Sequence, residues 1–166
     1  MRVFQSELVE RMQAARDNVD TRENMLGIQV DQTRWLLDLQ EIGEIVPMTA
    51  ITKVPLTQDW YLGLLNIRGN LVSVIDFSRY QGLGATEIEN ASRIVTFTPT
   101  LGINCGLLVS RVMGLRNVAE MQRQPDTTDN AAGWIGSFYR DKDSHDWVTL
   151  SLSSIVQEQR FLHIGL

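Results

Sequence analysis

The sequence has few of the residues that build disulfide frameworks or membrane spans. Its 166 residues contain one cysteine, Cys105, which excludes an internal disulfide and suits a reducing compartment. No apolar run approaches the roughly 20 residues needed to cross a bilayer, and residues 1–7 lack the apolar stretch of a signal peptide. We therefore expect a cytoplasmic protein with no direct membrane insertion.

Basic charge is also in short supply. The chain has 15 Lys and Arg against 20 Asp and Glu, a net charge of −5, and no segment rich in Lys or Arg. Non-specific nucleic-acid binding depends on a positive field that releases phosphate counterions, so the composition argues against nucleic acid as a partner. Small β-barrels often bind single strands, however, and a nucleic-acid-binding small barrel is the alternative interpretation.

The residue types that catalyse reactions or bind metals are sparse. Cys105 lies in an apolar segment with no positive charge nearby to activate it. His145 lies in an acidic loop, 140–146, that lacks the central glycine and terminal glutamate of an EF-hand, and His163 suits the end of a closing helix. There is no nucleophile elbow and no phosphate-binding loop. We predict no enzyme activity, metal site or cofactor; a carboxylate pair assembled only by folding is the remaining enzymatic alternative.

Residues 6–23 have a helical pattern. Ser6 can cap the start, and apolar residues recur every three or four positions, at Leu8, Met12, Ala15 and Val19. An isolated helix of this length is marginally stable in water, so the stripe should pack against another surface. We assign residues 1–24 to a helical extension that either docks on the body of the protein or binds a partner.

From Met25 onward the hydrophobic pattern has a period of two, which is typical of β-strands. A tight hairpin turn is predicted where Gly69 supplies a positive φ, and a second hairpin around residues 99–102. Asp76 can cap a helical turn that reaches Tyr80. The predicted strands are 26–30, 35–39, 44–48, 64–67, 71–75, 93–97, 104–109, 134–139 and 147–150.

The remaining segments complete the expected fold. Residues 117–132 are polar and contain a proline, so they are predicted to form a long loop, and residues 153–162 a closing helix. The predicted strands are too many for one small barrel. We therefore expect a mainly β protein of two small barrels packed together, with the join near residues 81–91.

One charge stands out within an apolar region. Arg68 is the only charged residue between Asp59 and Asp76, and it occupies a hairpin tip. Aromatic residues beside an arginine are typical of an interface hot spot, and Trp60 and Tyr61 are the aromatics in question. Two interpretations stay open for each: Arg68 contacts a partner or only solubilises the turn, and the two aromatics belong to an interface or to the core.

The segment around this arginine resembles a known family. Residues 61–76, YLGLLNIRGNLVSVID, resemble the central motif of CheW-like chemotaxis coupling proteins, and the likeness continues at 35–45, 105–109 and 147–155. The helical extension and Trp60 look like the PilI-like branch of the family, which serves twitching motility in type IV pilus chemosensory systems.

The resemblance implies a fold of two small five-stranded β-barrels within a CheW-like domain over residues 25–162. It also implies a non-enzymatic adaptor that bridges the cytoplasmic tip of a methyl-accepting chemoreceptor to the regulatory domain of a CheA-like histidine kinase. Such an adaptor is recruited to membrane-associated receptor arrays through these partners. Receptor-binding positions of the family fall at Ile42, Glu44, Gly63, Asn66, Arg68 and Gly106.

The chemistry of these positions suits a helical receptor tip. Gly63 and Gly106 would let a helix approach closely, although a strand bulge or tight bend explains a glycine equally well. Ile42 would supply apolar contact area and Arg68 would bind a carboxylate with two hydrogen bonds. Glu44 would contact the partner or simply lie exposed on a strand.

The sequence departs from the family pattern at two places. Ser110 and Arg111 stand where the family usually has an acidic pair, and Ser73 stands where a proline is common. Charges at the rim of an interface affect steering and discrimination. We therefore expect Ser110 and Arg111 to alter partner choice more than folding.

Deleting residues 1–23 should leave the β-rich body folded, because the strand pattern begins only after the helical segment. A thermal melt of the truncated protein, compared with that of the full chain, checks this expectation. Loss of a cooperative transition would instead place the extension within the core.

Overall fold

The computed structural model describes residues 24–125 and 132–166. The helix predicted at 6–23 lies outside these residues. Within the described part of the chain no helix has the length or hydropathy of a membrane span. The strands are β1 (Asn24–Val30), β2 (Thr33–Asp38), β3 (Ile42–Pro47), β4 (Tyr61–Ile67), β5 (Asn70–Asp76), β6 (Arg93–Phe97), β7 (Cys105–Val109), β8 (Arg111–Asn117), β9 (Gln122–Gln124), β10 (Ile135–Arg140) and β11 (Asp146–Leu150); the α-helices are α1 (Phe77–Tyr80), α2 (Leu152–Ile155) and α3 (Gln159–Leu162).

The strands form two sheets, which confirms the mainly β fold expected from the period-two pattern. One sheet has six strands in the order β8–β1–β2–β11–β10–β9, and the other has five in the order β3–β6–β7–β5–β4. The five-stranded sheet uses one continuous stretch of chain, 42–109, whereas the six-stranded sheet combines strands from both sides of that stretch. The five-stranded sheet is thus inserted between β2 and β8.

The chain passes between the sheets at different residues from those expected. Residues 81–91 connect α1 to β6, and the strands on both sides of this loop belong to the five-stranded sheet. The crossings lie instead at the 3-10 turn Leu39–Glu41 and at Ser110. The composition of 81–91 correctly marks a loop, but composition does not say which sheet receives the next strand.

The five-stranded sheet has a small apolar core on one face. Its buried members, Leu65, Val74, Ile94 and Leu108, come from four different strands. Partly buried side chains from the same sheet and from the segment that follows β3 pack against them: Val46, Met48, Ile51, Leu62 and Ile67.

The opposite face packs against the six-stranded sheet around a cluster of aromatic rings. Phe77 meets Trp35 of β2 edge to face with ring centroids 5.2 Å apart, and meets Trp134 at 5.3 Å. Tyr80 contacts Trp134 at 6.4 Å and Phe161 of α3 at 5.5 Å. Such pairs contribute about 0.5–1.5 kcal/mol each beyond their burial. The cluster therefore joins the six-stranded sheet, the turn after β5 and the C-terminal helices.

A single carboxylate connects this aromatic cluster to the end of the chain. Glu158 accepts hydrogen bonds from the Tyr80 hydroxyl at 2.5 Å and from the Trp134 indole nitrogen at 3.0 Å. Burial first, and then the bond to Glu158, raise the pKa of Tyr80 well above its ordinary value. The Tyr80 hydroxyl therefore remains a hydrogen-bond donor at all physiological pH values.

Two other carboxylates fix the connections between elements. Glu41, in the first crossing between the sheets, accepts from the backbone amides of Leu152 and Ser153 at 2.9 and 3.1 Å and so holds the start of α2. Asp76 caps α1 as predicted, and it also accepts from the amide and the hydroxyl of Thr86 at 3.0 and 2.7 Å. The long loop after α1 is therefore anchored to the end of β5.

The closing helix predicted at 153–162 is instead two short helices. The backbone of Glu158, between α2 and α3, is extended, with φ −71° and ψ 132°. This break turns the Glu158 side chain toward Tyr80 and Trp134, and helical periodicity in the sequence does not reveal it.

The sequence pattern also misses two strands that the structure contains. Only Ser110 separates the end of β7 from the start of β8, so no turn sequence marks the boundary between them. β9 lies within the predicted loop at 117–132, and its three residues pair with β10. A short polar strand has no alternation of apolar and polar residues to detect. All of the predicted strands are present.

Replacing Glu158 with alanine should destabilise the fold by about 2–4 kcal/mol, because the buried Tyr80 hydroxyl and Trp134 indole N–H would lose their acceptor. Glu158→Gln keeps an acceptor oxygen in place and should cost less than about 1 kcal/mol. Urea unfolding followed by tryptophan fluorescence measures both variants. Equal losses in the two would contradict this role for the hydrogen bonds.

Candidate functional site

The predicted hairpin at Arg68 has a strained and well-fixed turn. Arg68 and Gly69 both have positive φ angles, 49° and 85°, which is the geometry of a type I′ turn. The Asn66 side chain accepts a hydrogen bond from the Gly69 amide at 2.8 Å. A left-handed conformation costs an L-residue such as arginine about 1 kcal/mol. The turn therefore holds Arg68 in a defined position at the tip.

Arg68 forms an ion pair with Glu44 across the five-stranded sheet. Glu44 lies on β3 and Arg68 follows β4, and these strands are at opposite edges of the sheet. In a flat sheet four strand spacings would separate the edges by about 19 Å. The contact therefore shows that the sheet curls until its edges approach each other, as in a small barrel.

The pair is largely open to solvent. The Arg68 side chain is 74% exposed and the Glu44 side chain 28%. An exposed ion pair contributes only about 0–1 kcal/mol to stability, so the fold does not depend strongly on it. Most of the guanidinium surface is accessible to another molecule.

Thr96 fixes the backbone of Glu44. The Glu44 amide donates to the Thr96 hydroxyl oxygen at 2.8 Å, and that hydroxyl donates to the Glu44 carbonyl at 3.2 Å. The strand register shifts between Ile42 and Ile45, so Glu44 lies in a β-bulge. A bulge of this kind re-aims a side chain, and here the carboxylate reaches Arg68.

Several of the predicted receptor-binding positions lie on one line across the sheet. Gly63 is paired with Val74, Val74 with Gly106, and Gly106 with Thr96, which holds Glu44. Residues far apart in the sequence thus form a single row over five strands. The sheet brings Glu44, Gly63 and Gly106 together with the Arg68 hairpin.

Packing within the chain itself requires glycine at both of these positions. A Cβ at Gly106 would lie 2.7 Å from a methyl group of Ile94, and one at Gly63 would lie 2.2 Å from the Thr52 carbonyl oxygen. Gly63 also has a φ of +140°. The chain itself therefore requires both glycines, and the bulge interpretation accounts for Gly63. That they also let a partner helix approach stays a prediction.

Three other expected contact residues are buried. Ile42, expected to supply contact area, is 0% exposed, and the possible interface aromatics Trp60 and Tyr61 are 2% and 6% exposed. Trp60 packs edge to face on Tyr80 at 5.0 Å, within the aromatic cluster. Apolar residues in a sequence do not show which of them fold inward, so the core interpretation holds for both aromatics.

The hairpin carries one exposed apolar residue that sequence reasoning missed. Leu71, paired with Asn66 beside the turn, is 56% exposed. Its neighbour Val72 is buried, and strand alternation requires one of two successive residues to face away from the core. The alternation of side chains along the strand is the sequence signal that predicts an exposed Leu71.

Ser73, where the family pattern has proline, is explained by its contacts. Its amide donates to the Asn104 carbonyl at 3.1 Å, and its hydroxyl is 2.9 Å from the Tyr61 hydroxyl. A proline has no N–H to make the first bond. The serine therefore adds two contacts to the join between β4, β5 and the β7 loop.

Ser110 and Arg111 lie apart from the Arg68 hairpin, at the crossing into the six-stranded sheet. The Ser110 hydroxyl accepts from the Asp31 amide at 3.2 Å, and the Ser110 amide donates to the Gln29 carbonyl at 2.8 Å. Arg111 is exposed and donates from Nε to the Gln29 side-chain oxygen at 2.8 Å. These contacts fasten the crossing to the β1–β2 turn.

The cysteine and the acidic and histidine side chains of the 141–145 turn lie in structural positions. Cys105 is 2% exposed, and burial raises the pKa of its thiol to about 12, so it is protonated. Ligand atoms of Asp141, Asp143 and His145 lie within 4.8 Å of one another. Asp141, however, already accepts hydrogen bonds at 2.9 Å from the Trp147 indole nitrogen and from the amides of Asp143 and His145. Burial raises its pKa, and these bonds outweigh burial, so the pKa of Asp141 lies below its ordinary value.

Comparison with known proteins finds one matching family and several relatives. The model of the family described as CheW-like domain matches residues 24–160. The chain is 24% identical over 134 residues to chemotaxis protein CheW of Thermotoga maritima, covering 81% of this chain and 87% of that protein. It is 22% identical over 145 residues to protein PilI of Pseudomonas aeruginosa, covering 85% of this chain and 79% of that protein.

A solved structure has the same fold. The scaffolding protein TtCheW from Thermoanaerobacter tengcongensis superposes with a TM-score of 0.65 at 23% sequence identity. The match covers 78% of this chain and 89% of that one. The two-sheet architecture is therefore shared.

Gly63→Ala should lower the free energy of unfolding by about 2–4 kcal/mol, since the new methyl group would clash with the Thr52 backbone at a disfavoured φ. Gly69→Ala is the matched control, because nothing lies within 4 Å of its Cβ position and only the positive φ is unfavourable. It should cost about 1 kcal/mol. Urea unfolding compares the two, and similar costs would contradict the close packing at Gly63.

Proposed function

This chain belongs to the family of CheW-like domain proteins, and from that premise we propose that it is a non-enzymatic coupling protein. In this role it links the cytoplasmic tip of a methyl-accepting chemoreceptor to the regulatory domain of a CheA-like histidine kinase. The names of its relatives, chemotaxis protein and scaffolding protein, support a role exerted by contact.

The exposed ion pair between Arg68 and Glu44 is the observation that carries the receptor contact. A guanidinium has five N–H donors, and the bond to Glu44 comes from one nitrogen, Nη2. A receptor helix that presents a carboxylate could engage the other donors in a bidentate pair. Leu71 and Asn66 at the same tip would add apolar area and a polar rim.

Signal transfer in this proposal works through assembly. A protein that binds receptor and kinase together changes kinase activity only if its contacts differ between two receptor states. The two sheets offer separate surfaces for two partners. The Arg68 hairpin belongs to the five-stranded sheet, and Ser110 and Arg111, which we assign to partner choice, lie at the start of the six-stranded sheet.

For the pathway we propose the type IV pilus branch. The alignment with protein PilI spans 145 residues, and the predicted helical extension at the N-terminus supports the same branch. The protein would be cytoplasmic and would reach membrane-associated arrays through its partners.

Arg68→Glu in the full chain should leave the fold intact and weaken binding to a purified receptor cytoplasmic fragment at least about tenfold. Binding is measured by co-sedimentation and folding by thermal melting. Arg79→Glu is the matched control, because Arg79 is also partly exposed and pairs with a carboxylate, that of Asp59, at 3.2 Å. It should bind like the native chain.

A charge swap separates the two roles of the pair. Glu44→Arg combined with Arg68→Glu restores an internal ion pair but reverses the charge shown to a partner. We expect this double variant to melt normally and still fail to bind. Recovered binding in the swap, or unchanged binding in Arg68→Glu, would reject a direct receptor contact.

A further inference from the structure

The six-stranded sheet has one face that packs against the other sheet and one that faces away from it. The packed face carries residues such as Ile28, Trp35 and Val148. The neighbours of these residues in the sequence therefore point to the other side. On that far side, Gln29 of β1 pairs with Arg111 of β8 and with Arg34 of β2.

The same far side continues across the remaining strands. Val148 of β11 is paired with Trp35 of β2 in parallel register, so the residues that precede them, Trp147 and Arg34, lie side by side on the far face. Both residues line one cleft. Trp147 is paired with Tyr139 of β10, and Tyr139 with Arg123 of β9. Arginines and aromatics from separate parts of the sequence thus form one row.

A further arginine reaches this row from β8. The Arg116 guanidinium lies 5.3 Å from the centroid of the Trp147 ring, and both side chains approach the empty Cβ position of Gly27. The Arg123 guanidinium lies 5.9 Å from the Tyr139 ring. We call the surface formed by Arg34, Arg111, Arg116 and Arg123 the arginine face.

Three arginines of the arginine face, Arg34, Arg111 and Arg116, have no carboxylate partner among the described residues. The Nε atoms of Arg34 and Arg116 are buried without an acceptor. Arg111 donates to a neutral amide oxygen. Within residues 24–125 and 132–166, none of these three arginines forms an ion pair with a carboxylate. The positive charges of these three side chains are therefore not neutralised by a carboxylate of the described residues, and a carboxylate of a partner can pair with them.

A cleft of about 550 Å³ opens at one end of this face. Arg34, Tyr139 and Trp147 line it, together with the β1–β2 turn at Gln32 and the β10–β11 turn at Ser144. The one carboxylate among the described residues of its lining, Asp146, is paired with Arg140 at 2.8 Å. The cleft gives the arginine face a concave entrance beside Arg34.

The chemistry of the face favours carboxylates over nucleic-acid bases. A positive surface on a chain of net charge −5 selects for anionic partners. Guanidinium groups bind carboxylates with two parallel hydrogen bonds. Bases would need open aromatic rings for stacking, but Trp147 is 2% exposed under Arg116 and Tyr139 lies beneath Arg123.

We propose that the arginine face docks an acidic segment of a partner polypeptide, which enters at the cleft beside Arg34. This surface is distinct from the Arg68 hairpin, so the proposal stands independently of the receptor contact. It also gives a physical role to Arg111, which contributes a positive charge to the face.

The test uses the full chain and a short fluorescein-labelled peptide of alternating glutamate and alanine, followed by fluorescence anisotropy. We expect saturable binding that weakens as salt increases. The same peptide with glutamine in place of glutamate should not bind. In ¹⁵N spectra, the indole resonance of Trp147 should shift with the glutamate peptide, which locates the site.

Single neutralising variants give the second readout. Arg111→Gln and Arg34→Gln should each weaken peptide binding about fivefold with a normal thermal melt. Lys53→Gln is the matched control, because Lys53 is exposed in the loop between β3 and β4 of the five-stranded sheet. This variant should leave binding unchanged. If Arg34→Gln does not fold, Arg111→Gln alone decides.

Three results would overturn the proposal. These are equal binding of the glutamine peptide, equal loss in Lys53→Gln and Arg111→Gln, or tighter binding of an oligothymidylate of matched charge. The last result would identify single-stranded nucleic acid as the partner of this face.

Discussion

The aromatic cluster between the two sheets is the contact on which the rest of the structure depends. Trp35 lies on β2 of the six-stranded sheet, Phe77 begins α1 directly after β5, and Trp134 immediately precedes β10. The five-stranded sheet is inserted between β2 and β8. Trp35 and Trp134 lie on the two sides of this insertion and Phe77 lies within it, so the three rings meet where the insertion packs against the segments that flank it. Glu158 then ties the C-terminal helices to the same cluster through Tyr80 and Trp134. Closing the cluster therefore sets the relative position of the two sheets.

The candidate site follows from how the five-stranded sheet closes. Curling brings the β3 edge to the β4–β5 hairpin, and the meeting point is the pair Glu44–Arg68. The apolar residues in the core of this sheet are buried, whereas the charged pair at the junction is open to solvent. Stability and the proposed recognition of a partner thus rest on different atoms of the same strands.

Local features of the fold could be predicted from the sequence, and features that depend on distant contacts could not. The hairpin at Arg68 and the cap at Asp76 are written in a few adjacent residues, and the structure confirms both. The burial of Ile42 and Trp60 depends on packing between sheets, which an apolar run does not specify. The arginine face is the extreme case, because its members lie on strands that are neighbours only in the folded sheet.

The left-handed backbone at Arg68 has a consequence for how this protein would evolve or be engineered. Asn-Gly is the dipeptide that such a turn prefers, so a search for thermal resistance alone would favour asparagine at position 68. The gain would come from relieved torsion, and the guanidinium would be lost. Directed improvement of this scaffold for heat tolerance should therefore hold that position constant and look for its gains in the loops.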